Sequence, residues 1–262
     1  MDTGPCAAAY NMALDEAIAV SVRNEKSPPT LRLYGWDNPS VSIGAFQKSS
    51  DLNIHYCSES RVPIVRRPTG GRALLHGREI TYSFSVKTTS GLFSKGLFDS
   101  YKKISSALCL ALSKSGIAAA TKLLRETGHS QSSGQRTRSP LCFESISYGE
   151  LSVNSRKIIG SAQKRWADGL LQQGSIPLHI DRDKMSGIFR LHTDHRIREA
   201  SLGLMDICPG FNSDQFKDAI RTSFEETFDA DLVLSSPSHE EIALAQELET
   251  KKYLSDQWNF KR

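Results

Sequence analysis

The chain is poor in cysteine, with 5 in 262 residues. An odd number scattered over that length makes no disulfide framework, and no Cys-x-x-Cys pair occurs. Its 7 histidines show no His-Glu-x-x-His spacing, so neither a structural zinc nor a catalytic metal is expected. No run approaches the ~18 apolar residues of a membrane span. The opening Met1-Asp2-Thr3-Gly4-Pro5 lacks a basic region followed by an apolar stretch. No secretory signal is therefore read, and a cytoplasmic protein is expected. A net charge of +4 is too small to point to nucleic acid. Charged residues at 24%, with Gly 18 and Pro 10, exclude wholesale disorder, collagen and coiled coil.

What is present is enough chain for a sizeable core. It reads as one catalytic-size domain over 1–262, with a small helical part from about residue 206. Charge is unevenly spread: residues 206–262 hold 12 acids and 6 bases, and the rest 27 bases and 17 acids. A positive face could attract an acidic protein or a phosphate-bearing substrate, although a solvated surface would show the same pattern.

Tyr10, Leu14, Ile18 and Val22 recur at helical spacing, which predicts a helix over about 10–23. Strands are expected at Thr30–Tyr34, Val41–Ala45 and Val62–Arg66. The alternation of Ile80, Tyr82, Phe84 and Val86 with Thr81, Ser83 and Ser85 predicts a half-buried strand. A second helical stripe runs from Leu97 to Leu112 and stops near Gly116. Residues 125–140 lack apolar periodicity and read as a mobile loop. Further strands are expected around Tyr148–Val153, Lys157–Gln163 and Gly169–Leu178, with Asn154-Ser155 as the hairpin turn between the first two. Ser213 is placed to cap one late helix, and Ser238 with Glu241 forms a capping box for another. The order predicts an α+β domain with a mainly antiparallel or mixed sheet and packed helices.

Three segments can carry chemistry. The first is Arg66-Arg67-Pro68-Thr69-Gly70-Gly71-Arg72, followed by His76. Paired glycines let backbone approach a ligand, and arginines fork onto phosphate or carboxylate. The spacing fits neither a Walker loop nor a dinucleotide fingerprint; a tight turn with surface arginines is the plain alternative. The second is Cys142, between a polar loop and the basic segment. A lone cysteine is most often a buried small hydrophobe, but a nearby cation lowers a thiol pKa and makes a nucleophile. The third is Lys157, which opens a strand where Gly160, Ser161 and Ala162 leave room for a slender ligand. A strand lysine usually faces solvent; one followed by Ile-Ile-Gly-Ser-Ala is open to partial desolvation and proton transfer.

Together these segments resemble the lipoate-protein ligase A, octanoyltransferase and biotin-protein ligase catalytic superfamily. Arg66 to Arg72 with His76 is similar to its glycine-rich acyl-binding motif. Arg156-Lys157-Ile158 with Gly160-Ser161-Ala162-Gln163 is similar to its lysine motif. Leu33-Tyr34-Gly35-Trp36 and the closing Ser255–Arg262 match as well. Cys142, fifteen residues before Lys157, resembles the LipM-type octanoyltransferases, which act on the glycine cleavage H protein.

That resemblance implies a class II synthetase-like fold. It also implies transfer of octanoyl from octanoyl-acyl carrier protein to a lysine of an acidic lipoyl-domain acceptor. Cys142 would carry the acyl group as a thioester, and Lys157 would favour its thiolate. Arg67, Gly70, Gly71, Arg72, His76, Gly160, Ser161 and Ala162 would bind the substrate. Arginines 66, 67 and 72 would shape the slot and touch phosphopantetheine or the carrier. No cofactor is expected, nor contact with nucleic acid or membrane; a monomer is. One alternative is a lipoate-protein ligase using ATP and magnesium, with Lys157 on the lipoyl-adenylate. Another is a non-catalytic acyl-binding or adaptor protein. The chain departs from the family at Ser155, where glycine is common, and it opens at Asp2-Thr3-Gly4 without the strand that the resemblance leads one to expect.

Overall fold

Apolar and polar residues alternate along 79–87, and the elements stack on both sides of that strand. The computed structural model describes residues 1–93, 96–121, 150–189 and 201–262. Within them lie the strands β1 (Asp2–Cys6), β2 (Thr30–Trp36), β3 (Ser40–Ile43), β4 (Ile64–Arg66), β5 (Leu74–His76), β6 (Glu79–Lys87), β7 (Ala120–Thr121), β8 (Leu151–Val153), β9 (Arg156–Arg165) and β10 (Gly169–Pro177). The helices are α1 (Ala8–Arg23), α2 (Ile54–Glu59), α3 (Gly96–Lys114), α4 (Arg182–Phe189), α5 (Leu204–Ile207), α6 (Ser213–Phe228), α7 (His239–Leu248) and α8 (Asp256–Asn259).

One seven-stranded sheet runs β1-β2-β6-β10-β9-β8-β7, and a three-stranded sheet runs β4-β3-β5. The β1–β2 and β3–β4 pairs are parallel and the others antiparallel. The fold is α+β on a mixed sheet, as the order of elements predicts.

Strand periodicity divides the core. Leu31 and Leu33 of β2, with Ile80, Tyr82, Phe84 and Val86 of β6, join Ile104, Leu108 and Leu112 of α3 and Phe216, Ile220 and Phe224 of α6. The opposite face packs on α1: Met12, Ala13, Leu14, Ala17 and Ile18 meet Tyr34, Trp36, Ala245 and Tyr253. β6 is therefore not half-buried. Every residue from Glu79 to Val86 is buried, because α1 covers the polar face, and Thr81 and Ser83 find partners there in Trp36 Nε1 and Asp15.

Three other expectations change in detail. Residues 2–6 are themselves an edge strand, parallel to β2. The cap of α6 is Asn212, whose side chain accepts from the amides of Asp214 and Gln215; Ser213 is the first helical residue. β5, unread in the sequence, closes the small sheet against β3. The turn at Asn154-Ser155 stands, with φ of 49° and 61°, the left-handed pair of a two-residue hairpin. Ser155 holds this conformation without glycine's freedom, at a strain of about 1 kcal/mol. Ser238 and Glu241 form the expected capping box. The polar segment 125–140, Cys142 and the first residues of the Tyr148–Val153 strand lie outside the described residues.

Candidate functional site: an acyl slot between the glycine-rich turn and β9

Arg66 ends β4, and the chain turns through Pro68, Thr69, Gly70 and Gly71 before β5. Gly71 has φ +87°, and a Cβ there would meet Arg67 Nη2 at 2.9 Å. Gly70 has no such constraint. The conformational demand of the Gly-Gly pair falls on its second member. A third glycine, far away in sequence, completes the turn: a Cβ on Gly44 would stand 1.9 Å from the Gly71 carbonyl oxygen. Gly44 carries no motif signal and was not singled out.

The arginines beside this turn face inward. Arg67 donates through Nε and Nη2 to the Gly70 carbonyl (3.1 and 2.7 Å), through Nη2 to the Arg72 carbonyl (2.7 Å), and through Nη1 to Ser42. Its guanidinium clasps the turn from within. Arg66 is fully buried and donates to the carbonyls of Gly44, Gln47, Trp258 and Asn259. The guanidinium of Arg66 thus joins the turn to the C-terminal segment and does not face the slot.

His76 is also buried. Its Nε2 is 2.7 Å from Ser42 Oγ and its Nδ1 is 2.8 Å from Glu79, while its ring stacks on Trp36 at 3.9 Å. Glu79 also accepts from Thr81. Both ring nitrogens are therefore engaged, consistent with a hydrogen-bonding role for His76 in the wall.

Thr69 extends this order into the core. Its hydroxyl donates to Gln173 Oε1 (2.8 Å), and the Gln173 amide donates to Asp15 Oδ2 (2.7 Å). Asp15, fully buried on α1, also accepts from Arg32 (2.7 Å), Tyr34 and Ser83. Burial, followed by the Asp15 charge, pushes the Tyr34 hydroxyl well above its ordinary pKa. A buried charge persists only when paired and hydrogen-bonded, and Asp15 meets both conditions with four partners.

Between the turn and β9 lies a narrow slot with a cavity volume of about 20 Å³. Met12, Trp36, Leu74 and Ala162 give it apolar wall, while Arg67, His76 and Gln173 stand at its polar side. Of the residues singled out in the sequence, Arg67, His76, Gly160, Ser161 and Ala162 line it. Gly71 stands directly behind, its ideal Cβ position 3.6 Å from Ala162 Cβ, so the first and third segments meet in space. Gly70 and Arg72 do not line the slot; their carbonyls accept from Arg67. Met12, Gln173 and Ser175 were missed, because their signal is a shared location and not a spacing. Ser175 Oγ is buried at the slot without a hydrogen-bond partner among the described residues.

Lys157 does not line the slot. It lies three residues before Gly160 on β9, fully buried, with Nζ 2.6 Å from Glu150 Oε1. This is more than the partial desolvation the sequence suggests, and the carboxylate partner went unread. Beside it, Tyr82 bonds to Ser161 Oγ (2.8 Å) and Gln172 (2.7 Å), and burial pushes its hydroxyl up to about 12. Among the described residues, no cluster of three or more His, Cys, Asp or Glu is placed to hold a metal. No helix among them is long and apolar enough to cross a membrane.

Residues 7–225 match the family model of the lipoyl protein ligase A/B catalytic domain. The chain belongs to that family. Among curated members, the octanoyltransferase LipM of Kyrpidia tusciae is 36% identical over 274 residues, covering 100% of this chain and 98% of its own. The LipM octanoyltransferase of Bacillus subtilis is 34% identical over 272 residues, with 100% and 97% covered. Among solved structures, a Thermoplasma acidophilum protein with bound lipoic acid superposes with a TM-score of 0.82 at 23% identity, covering 100% of this chain and 97% of that one. A lipoate-protein ligase A bound with ATP gives 0.81 at 23%, covering 99% and 96%. These two establish a shared fold. Within the lipoyl protein ligase A/B family, the glycine-rich turn and the lysine strand thus form one locus of this chain.

Proposed function

We propose that this chain is an octanoyltransferase of protein lipoylation, moving an octanoyl group from octanoyl-acyl carrier protein to a lysine of a lipoyl-domain protein through a thioester on Cys142. The acyltransferase class is carried by one observation: full-length identity of 34–36% to octanoyltransferases of the LipM type. The slot supports the choice of an acyl chain, since its wall is partly apolar and each buried methylene contributes ~0.8 kcal/mol.

The reaction has two halves. The Cys142 thiolate adds to the carrier thioester, the carrier thiolate leaves and takes a proton, and octanoyl-Cys142 remains. The acceptor lysine amine then adds to that thioester, Cys142 departs as thiolate, and an amide forms after loss of a proton. Thioester exchange is nearly isoenergetic and amide formation runs downhill, so ATP has no role. Lys157 supplies the positive charge that favours thiolate and, in its amine form, accepts the proton of the incoming lysine. Glu150, 2.6 Å from Lys157 Nζ, keeps that side chain oriented.

The test is an intact mass after incubation with octanoyl-acyl carrier protein in the absence of ATP. An octanoyl adduct that disappears in Cys142→Ser is the expected result. Absence of the adduct, with lipoylated product only when ATP, magnesium and free lipoate are supplied, would replace the transferase by a ligase. Ligand binding without turnover, indifferent to Lys157→Ala, would indicate a non-catalytic binding protein.

A further inference from the structure

Arginines 66 and 67 spend their donors on backbone carbonyls, which directs attention to other cations near the slot. Next to the glycine-rich turn, past Pro68, lies a second cleft with a cavity volume of about 470 Å³. Lys164, Lys252, Lys261 and Arg262 line it, the lysines over the rings of Trp166 and Trp258 and Arg262 over Phe46. Lys261 and Lys252 stand 3.4 and 4.1 Å from the centroid of the one Trp258 ring.

Among the described residues, side-chain cations outnumber side-chain carboxylates in this cleft. Among the described residues its one side-chain carboxylate, Glu16, is taken by Lys252 (2.6 and 2.8 Å) and by the Tyr253 hydroxyl (2.5 Å). Among the described residues, Lys164, Lys261 and Arg262 have no carboxylate within ion-pair distance. Burial, followed by the field of Arg66, Lys252, Arg262 and Lys164, pulls the Lys261 ammonium below its ordinary pKa. The four side-chain cations described there repel one another, and a bound anion would relieve that repulsion.

Residues that line the cleft also neighbour residues that line the slot. Ala162 lines the slot and Lys164 the cleft, and residues two apart on a strand share a face about 7 Å apart. Pro68 borders the cleft one residue after Arg67, which borders the slot.

We propose that this cleft is an anion site for the phosphate of the acyl donor's phosphopantetheine arm, held by Lys164 and Lys261 while the acyl chain occupies the slot. The proposal rests on the octanoyl-transfer reading above. A phosphate fits the concave shape and the paired ammonium groups, each of which serves as a point charge for it. The tryptophan rings hold the lysines over a flat floor.

The experiment measures octanoyl-enzyme formation with two small donors, octanoyl-phosphopantetheine and octanoyl-pantetheine, which differ only in the phosphate. The expected KM is about tenfold lower for the phosphorylated donor, the equivalent of one charge-assisted contact. In Lys164→Gln/Lys261→Gln that ratio falls towards one. Removing two mutually repelling charges does not threaten the fold, and a control at exposed Lys102, Lys102→Gln, leaves the ratio unchanged. A wild-type protein that accepts octanoyl from its carrier protein but treats the two donors alike overturns the phosphate site alone, as does a preference that survives the double substitution. A wild-type protein that takes octanoyl from no donor overturns the transfer reading and this site with it.

Discussion

Lys157 and Glu150 form an ion pair of 2.6 Å, with side-chain exposures of 0% and 6%. The β8–β9 hairpin folds the two residues together across its left-handed turn. A full charge at Lys157 is tolerated there because its partner is buried with it. Breaking such a pair from one side strands a charge in a poorly polarisable interior.

Glu150→Gln is expected to lower stability in urea unfolding by up to about 3–5 kcal/mol, the range for breaking a buried ion pair from one side. Lys157→Met/Glu150→Gln recovers part of that loss, because the two effects are coupled. Octanoyl transfer stays low in both proteins, because Lys157 is either misoriented or gone. A loss in the double variant equal to the sum of those in Glu150→Gln and Lys157→Met measured singly would show that the pair is not an energetic unit.

Asp15 accepts hydrogen bonds from Arg32, Tyr34, Ser83 and Gln173, tying α1 to β2, β6 and β10. Asp15→Ala leaves the Arg32 guanidinium buried without its carboxylate, with an expected loss of about 3–5 kcal/mol. Gln173→Ala should lose only about 1 kcal/mol yet raise the KM for the acyl donor, since Thr69 of the turn is released. A thermal melt paired with donor kinetics separates the two.

Gly44→Ala places a methyl group against the Gly71 carbonyl, where only 1.9 Å is available. Either β3 or the glycine-rich turn must shift. Activity is expected to fall more than tenfold while the protein remains folded, as judged by circular dichroism. Unaltered kinetics in a folded variant would show that the turn is not part of the slot.

Ala162→Leu fills the slot from β9, since Ala162 lines it. The expected outcome is a shift in chain-length preference, octanoyl donors losing more than butanoyl ones. Each methylene kept out of the slot removes ~0.8 kcal/mol, about fourfold in kcat/KM. A uniform loss across chain lengths would place the acyl chain elsewhere.

Tyr82 sets an alkaline limit on stability. Its hydroxyl ionises near pH 10 in the unfolded chain and near about 12 when buried in the fold. Between those values the unfolded state binds fewer protons, so stability is intact below pH 10 and falls by about 1.4 kcal/mol per unit as pH rises towards 12. Tyr82→Phe is expected to remove this part of the slope in urea titrations from pH 9 to 11. The burial-raised hydroxyls of Tyr34 and Tyr253 leave a residual slope of the same sign.

Much of the fold was legible because it rests on periodicity. The α1 stripe, the β6 alternation, the capping box at Ser238 and the hairpin at Asn154-Ser155 are local signals, and each element forms where its pattern lies. What α1 does to the polar face of β6 was not legible. Thr81, Ser83 and Ser85 read as a wet face, yet all three are buried beneath a helix some 70 residues earlier, and Thr81 and Ser83 are hydrogen-bonded. Alternation reports which residues share a face and leaves open what lies over it.

The site divides along the same line. Local composition alone marked Gly71, Lys157, Gly160, Ser161 and Ala162 as places where backbone comes close, a side chain is desolvated or a ligand finds room, because those properties belong to residue type and near neighbours. Tertiary structure alone decided that Arg66 and Arg67 turn inward, that Glu150 pairs with Lys157, that Gly44 completes the turn, and that Met12 and Gln173 complete the slot. Those outcomes depend on which carbonyls, carboxylates and carbons a fold brings within a few ångströms, and distance along the chain does not encode distance in space.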